Sequence, residues 1–495
     1  MKNSFVLIFL LLFFFNIFID KTQAQDVHAL LKLKWMLEAV PPAKGLGGNG
    51  ISDLVVQEIP DSTIIWAGTG GGLSRLNVQT DKWYTYNSSH GLGKGGVSAI
   101  TLRGNEIWVA TVYDSIFKDV GSVYIGGGLS YSRNGGKTWT HVPQPSDTKI
   151  PGNNTTWDIA MLDSTVWITS WAGGMRYTAN RGTTWNVVTP DGFILNPVEN
   201  LNHNSWSIIN ADGILWLGTA GGVNKSLDGG RTWVNFTHQN QAQPICGNWA
   251  RQIAYQKYDD KQVIWIACWT ASAESEDPTE FYGVARSEDQ GYTWTNYLEG
   301  ERAFSFAFDG PTVYVVAENG LFKSADQGQS WAKYPPIRDV AQDVSVYSSE
   351  YYAAAITKNT TLWVGTDDGL AKTVNDGLSW HIYRAVVPTG IGSEPRTYSY
   401  PNPFSPMRYN NLDGNGYIRL QYNTKAPAAV TIKVYDFALD LVATVVSGKS
   451  RPAGDFHEVW DCKNDRLELV ANGVYFYSVE ISGDGTYWGK IMIVD

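Results

Sequence analysis

One repeat constrains this chain more than any other feature. Trp167, Trp216, Trp265, Tyr314 and Trp363 stand 49 residues apart, each in a short apolar string that runs into a turn: VWITSWAGGM, LWLGTAGGV, IWIACW, VYVVAENGL and LWVGTDDGL. Trp108 (IWVAT) and Trp66 (IWAGTGGGL) continue the series toward the N-terminus at uneven spacing, so seven units are present. A period near fifty with strand-type alternation and glycine turns predicts small sheets that bury their apolar faces only by stacking on one another. No helical periodicity competes with it between about residue 50 and residue 385.

The expected fold class is therefore all-β: a seven-bladed β-propeller over 25–387, a linker over 388–397 and a small Ig-like β-sandwich over 398–495. A second motif recurs in six units: SRNGGKTW, TANRGTTW, SLDGGRTW, SEDQGYTW, SADQGQSW and TVNDGLSW. Its acidic or amide position falls at Asn134, Asn180, Asp228, Asp289, Asp326 and Asn375. Such a side chain accepts backbone N–H bonds within a turn, and the following Gly supplies a positive φ. The closing Trp is expected to bury its ring between neighbouring sheets. The strings resemble the Asp-box, or BNR, repeats of sialidase-like propellers. That resemblance implies the fold and a structural role for the six turn residues, and leaves the ligand open. The first unit has no such box and ends in LNVQTDKWYTYN. The segment at Trp35 mirrors that ending, so residues 33–40 are expected to add to the last sheet or to lie beside it.

Lys2, the apolar run Phe5–Ile19 and Thr22-Gln23-Ala24 read as a secretory signal peptide over 1–24. The run is shorter than the roughly 20 residues that span a bilayer. The expected location is secreted or cell-surface, reached through the periplasm, with no transmembrane segment in the mature chain. A net charge of −10 without a Lys/Arg cluster excludes nucleic acid as a partner. Three cysteines are too few for a disulfide framework. Cys246 and Cys268 flank one hairpin, where they either pair or stay as buried thiols, and Cys462 is left over.

The tail alternates with period two through YIRLQY, AVTIKVYD, LVATVV, FHEVWD, GVYFYSVEI and WGKIMIV. Asn402-Pro403-Phe404, Val434-Tyr435-Asp436, Trp460-Asp461 and Gly473 to Tyr477 resemble the Ig-like domain of flagellar hook-capping proteins and the C-terminal sorting domains of the type IX secretion system. Engagement of secretion machinery is what that resemblance implies. A plain accessory sandwich is the alternative, because Cys462 replaces the Gly usual after Trp-Asp and the chain ends in Asp495 rather than a basic residue.

Loops entering the innermost strands are rich in aromatic and amide side chains. Trp157, Trp171, Trp206, Trp249, Arg251, Trp269 and Arg302 are the candidate ligand residues: ring faces supply contact area and polar groups fix orientation. Each ring could equally serve packing between blades. The chain offers no metal-ligand cluster, nucleophile elbow or phosphate loop, and no cofactor is expected. Only Arg251 and Arg302 fall at channel entries, against the three arginines of sialidases. Asp-box xyloglucan hydrolases place two carboxylates between two propellers, and this chain has one. Asp158 and Glu301 remain the best carboxylate pair for glycosidic acid/base work. The leading reading is a non-catalytic protein that binds a glycan or protein ligand. A glycoside hydrolase and an envelope assembly factor are the alternatives.

Overall fold

Alternating apolar residues and glycine turns fold each repeat into a four-stranded antiparallel meander. In the first, Ile51–Ile59 pairs with Ser62–Thr69, then Gly72–Asn77, then Lys82–Tyr86. The order recurs in sheets whose first strands are Gly96–Arg103, Thr156–Leu162, Ser205–Ala211, Trp249–Tyr258, Ala303–Asp309 and Tyr351–Ile356. The structure is a computed structural model that describes residues 45–117, 121–145, 154–270, 277–387, 389, 395–408 and 410–494. The expected signal peptide and residues 33–40 lie outside them.

Each first strand packs against the first strand of the next sheet, and Tyr351–Ile356 packs back on Ile51–Ile59. The sheets thus surround one axis, the architecture of a β-propeller. Closure is both apolar and hydrogen-bonded. Ile51, Leu54 and Ile65 of the first sheet share a core with Ala353, Trp363 and Leu370 of the last. The backbone N–H of Ala385 donates to Asn49 Oδ1 at 2.7 Å, and that of Lys358 to Glu58 Oε1 at 3.0 Å. The last sheet takes its fourth strand from its own unit, His381–Tyr383.

The repeating aromatics sit where the sheets meet. Trp66, Trp108, Trp265 and Trp363 are fully buried, and Trp167 and Trp216 nearly so. Each of three meets the motif Trp of the following sheet edge to face: Trp66 with Trp139 at 6.3 Å, Trp167 with Trp233 at 6.4 Å and Trp265 with Trp331 at 6.3 Å. Two polar handles repeat as well. Trp66 Nε1 donates to Gln57, which donates to the Gly104 carbonyl of the next sheet, and Trp265, Gln256 and Gly310 reproduce the arrangement.

The six recurring turns share one hydrogen-bond pattern. In the fourth sheet Ser226 Oγ donates to Asp228 Oδ1 at 2.9 Å, and Asp228 accepts Thr232 N–H at 2.9 Å and Thr232 Oγ at 2.6 Å. Where the position is an amide, as at Asn180, Nδ2 donates to the Thr184 hydroxyl instead, at 2.9 Å. Asn134, Asp289, Asp326 and Asn375 are held in the same way. These bonds pull the Asp228 carboxyl below the usual carboxylate range, the Thr232 hydroxyl foremost. Gly230 has φ +86°, and a Cβ there would lie 2.3 Å from the Trp167 ring, so the turn of one sheet caps the indole of the one before.

The tail forms two sheets. Thr397–Tyr400, Ile418–Thr424 and Gly454–Trp460 make one, and Leu441–Arg451, Ala428–Tyr435, Gly473–Ile481 and Gly485–Ile493 the other. Leu420, Tyr422, Val434, Trp460, Tyr477 and Ile491 fill a common core. The tail is seated on the propeller. Arg419 of the tail and Arg384 of the propeller both pair with Asp368, the latter at 3.0 Å. Tyr347 lies on Tyr417 with centroids 4.4 Å apart, and Lys449 reaches Asp343 at 3.0 Å. Burial alone would raise the Asp368 carboxyl, but the two guanidiniums outweigh it and hold it at about 2.

A candidate ligand site built on aligned bulges

Every first strand carries a β-bulge at the same place. The register skips Ser52, Ser98, Trp157, Trp206, Arg251, Phe304 and Tyr352, one residue in each sheet. A bulge leaves its residue out of the ladder and re-aims its side chain. The first two sheets place hydroxyls here, and the rest place aromatic rings or a guanidinium. The ring of bulges is therefore lopsided, with bulk and charge on one arc.

On that arc four indoles gather, and a cation lies against two of them. Trp206 lies 5.9 Å from Trp157, 4.5 Å from Trp171 and 6.1 Å from Trp249, and Trp171 lies 5.4 Å from Trp249. The Arg251 guanidinium carbon sits 5.0 Å from the Trp206 centroid and 6.0 Å from that of Trp157. Trp206 is only 3% exposed and forms the floor, while Trp157, Trp171, Trp249 and Arg251 keep part of their surface open. Among the described residues Arg251 Nε and the indole N–H groups of Trp157, Trp206 and Trp249 are buried without an acceptor. Burial lowers the guanidinium to about 10, Asp158 opposing, so it stays cationic at neutral pH.

Trp269 pairs with Trp249 across the ladder, yet its ring turns to the next sheet. It is 4% exposed, packs 5.5 Å from Phe304 and 6.3 Å from Tyr282, and donates Nε1 to the Ala303 carbonyl at 3.0 Å. Arg302 belongs to this second cluster. It lies over Tyr282 at 4.5 Å, donates to the Tyr282 hydroxyl at 3.1 Å and faces Glu318 at 3.7 Å. These contacts engage both residues in packing and place them apart from the four indoles. Phe304 and Tyr352, 4.9 Å apart, join the same cluster.

Two carboxylates tie the inner strands together. Asp158 accepts Ser207 Oγ at 2.7 Å and the N–H groups of Ile208 and Ile159 at 2.9 and 2.8 Å. Asp53 accepts Ile100 N–H at 2.7 Å and Leu54 N–H at 2.8 Å. Burial pushes Asp158 up to about 6 against those bonds and the Arg251 charge. Asp53 is pushed up to about 7 by burial and then by Asp158. Glu301 accepts from Asn319 at 2.9 Å in the sixth sheet. His203 is a structural residue: its Nδ1 accepts Asn196 N–H and its Nε2 meets Asp191, both at 2.9 Å. The described end of the acidic insertion folds back over the entry to the fifth sheet, with Glu280 holding Asn248 Nδ2 at 2.6 Å, one residue before Trp249.

No family model matches the sequence, and no curated protein is significantly similar to it. Solved structures are similar to it in fold. The GH74 xyloglucanase from Xanthomonas campestris superposes with a TM-score of 0.53 at 13% identity, over 91% of this chain and 80% of that one. The GH74 enzyme of Niastella koreensis gives 0.52 at 13%, over 91% and 73%. PorZ, a surface component of the type-IX secretion system of Porphyromonas gingivalis, gives 0.40 at 15%, over 89% of this chain and 65% of that one. The two GH74 chains support the β-propeller architecture, and at these identities the likeness extends to fold alone.

Proposed function

We propose that this chain is a secreted or cell-surface binding protein: a seven-bladed Asp-box propeller with an Ig-like tail that engages secretion machinery. It holds a glycan or protein ligand at the channel face without turning it over. The observation that carries this reading is Arg251, a cation lying over two of four clustered indoles, with no acceptor at its Nε among the described residues. A guanidinium in that setting favours a carboxylate, and the indoles beside it favour the flat apolar surface of a sugar ring or side chain. Trp157, Trp171, Trp206, Trp249 and Arg251 are the binding residues. Trp269 and Arg302 support the neighbouring arc.

A glycoside hydrolase is the second reading, and the raised carboxyl of Asp158 is what favours it. Its Oδ2 already accepts two bonds from the next sheet and its Oδ1 one from Ile159 of its own strand, which weighs toward binding. The test is calorimetric titration of the full chain with trigalacturonic acid, with neutral maltotriose and with an acidic hexapeptide, alongside a reducing-sugar assay. Binding of a carboxylated probe that is lost in Arg251→Ala, with no new reducing ends, is expected. Release of reducing ends would establish the hydrolase. Silence toward every carboxylated probe from a folded chain would refute the binding reading.

A further inference from the structure

Cys246 and Cys268 are both fully buried, in one core cluster between the fourth and fifth sheets. Cys246 ends the loop that delivers Trp249 and Arg251. Cys268 lies in the strand that ends at Trp269, itself paired with Trp249. Three observations bring the two segments together. A Cβ on Gly247 would lie 2.5 Å from the Trp269 carbonyl oxygen. Phe281 donates its N–H to the Cys246 carbonyl at 2.8 Å, and two residues later Gly283 pairs with Cys268. Cys462 is buried in the core of the tail.

We propose that Cys246 and Cys268 close a disulfide when the chain folds in the presence of a disulfide-bearing oxidant, and that this bond pins the entry of the strand carrying Trp249 and Arg251. The chemistry is thiol–disulfide exchange. One thiolate attacks the oxidant's disulfide and expels a thiol; the second displaces the sulfur that remains attached. The pair loses two protons and two electrons, one S–S bond forms, and the oxidant leaves as two thiols. Exchange occurs while the loop is open, since in the folded chain no solvent reaches either sulfur. Burial and the partner thiol also hold the Cys246 thiol well above its usual range, which keeps that thiol inert once folded. The bond is independent of what the site binds.

The experiment expresses the full chain in parallel in the oxidising periplasm and the reducing cytoplasm of a bacterial host. Each product is alkylated under denaturing, non-reducing conditions and mapped by mass spectrometry. The periplasmic chain should carry a Cys246–Cys268 crosslink with Cys462 alkylated, and the cytoplasmic chain three alkylated cysteines. Adding a thiol reductant should lower the melting temperature of the periplasmic chain by on the order of 5 °C and leave the cytoplasmic chain unchanged. The double variant Cys246→Ser/Cys268→Ser should show no reductant shift. Should that variant fail to fold, the comparison of the two wild-type products decides alone. Alkylation of both cysteines in a folded periplasmic chain, or a crosslink to Cys462, would overturn the proposal.

Discussion

Arg251 and Trp206 occupy the same bulge position in neighbouring sheets, and the guanidinium carbon of one lies 5.0 Å from the indole centroid of the other. The contact follows from repetition. A bulge repeated at one height in every first strand aims unpaired side chains at a common level, and the sequence then decides which arc of that level carries rings and charge.

Arg251 therefore contributes little to folding. Its cation–π contacts add about 1 kcal/mol, and the cost of holding a partly desolvated charge opposes them. Arg251→Ala should shift the unfolding free energy by no more than about 1 kcal/mol in urea denaturation. A loss of several kcal/mol would make the residue structural.

Trp216 has the opposite character. It is 1% exposed at a sheet interface, and Trp216→Ala should cost about 3–5 kcal/mol in the same measurement. Gly230→Ala should cost about 1–3 kcal/mol, because its Cβ meets the Trp167 ring and its φ is positive.

The pH dependence follows from carboxyls shifted in opposite directions. Asp53 and Asp158 are raised to about 7 and about 6, so the folded chain holds their protons more tightly than the unfolded chain does. Their contribution to stability is fully present below about pH 4, the ordinary carboxyl value, and falls as pH rises through 6 to 7. Asp368, held at about 2, contributes above pH 4 and is lost as pH falls toward 2. Melting temperatures should fall between pH 5 and pH 8, and Asp53→Ala/Asp158→Ala should flatten that slope.

The tail is docked rather than merely tethered. Asp368 is 1% exposed and pairs with two arginines, one from each part of the chain. Asp368→Ala leaves both guanidiniums buried and unpaired, at a cost of about 3–5 kcal/mol. Hydrogen exchange should show faster labelling of Ile418–Thr424 and Tyr351–Ile356 in that variant. Unchanged exchange would mean the contact does not hold the tail.

The propeller was legible in the sequence because Trp167 to Trp363 keep a strict interval and the turn motif fixes its own hydrogen bonds locally. The bulges were not legible. One extra residue at a strand entry leaves the apolar alternation after it intact, so Trp157 and Arg251 stand out by type and not by register. Trp171 and Trp269 look equivalent from the sequence, each following the second strand of its unit. Their rings part because Phe304 and Tyr282 offer Trp269 an apolar bed, which no local string reveals. The docking of Arg419 on Asp368 joins residues 51 apart that no periodicity links.

Fluorine NMR of the full chain labelled with 5-fluorotryptophan tests the site most directly, with single Trp→Phe variants assigning the resonances and trigalacturonic acid as the titrant. The resonances of Trp157, Trp171, Trp206 and Trp249 should move together and saturate, those of Trp216 and Trp269 should stay in place, and Arg251→Ala should abolish the movement. Shifts confined to Trp269, or spread evenly over the interface indoles, would contradict a site on the Arg251 arc.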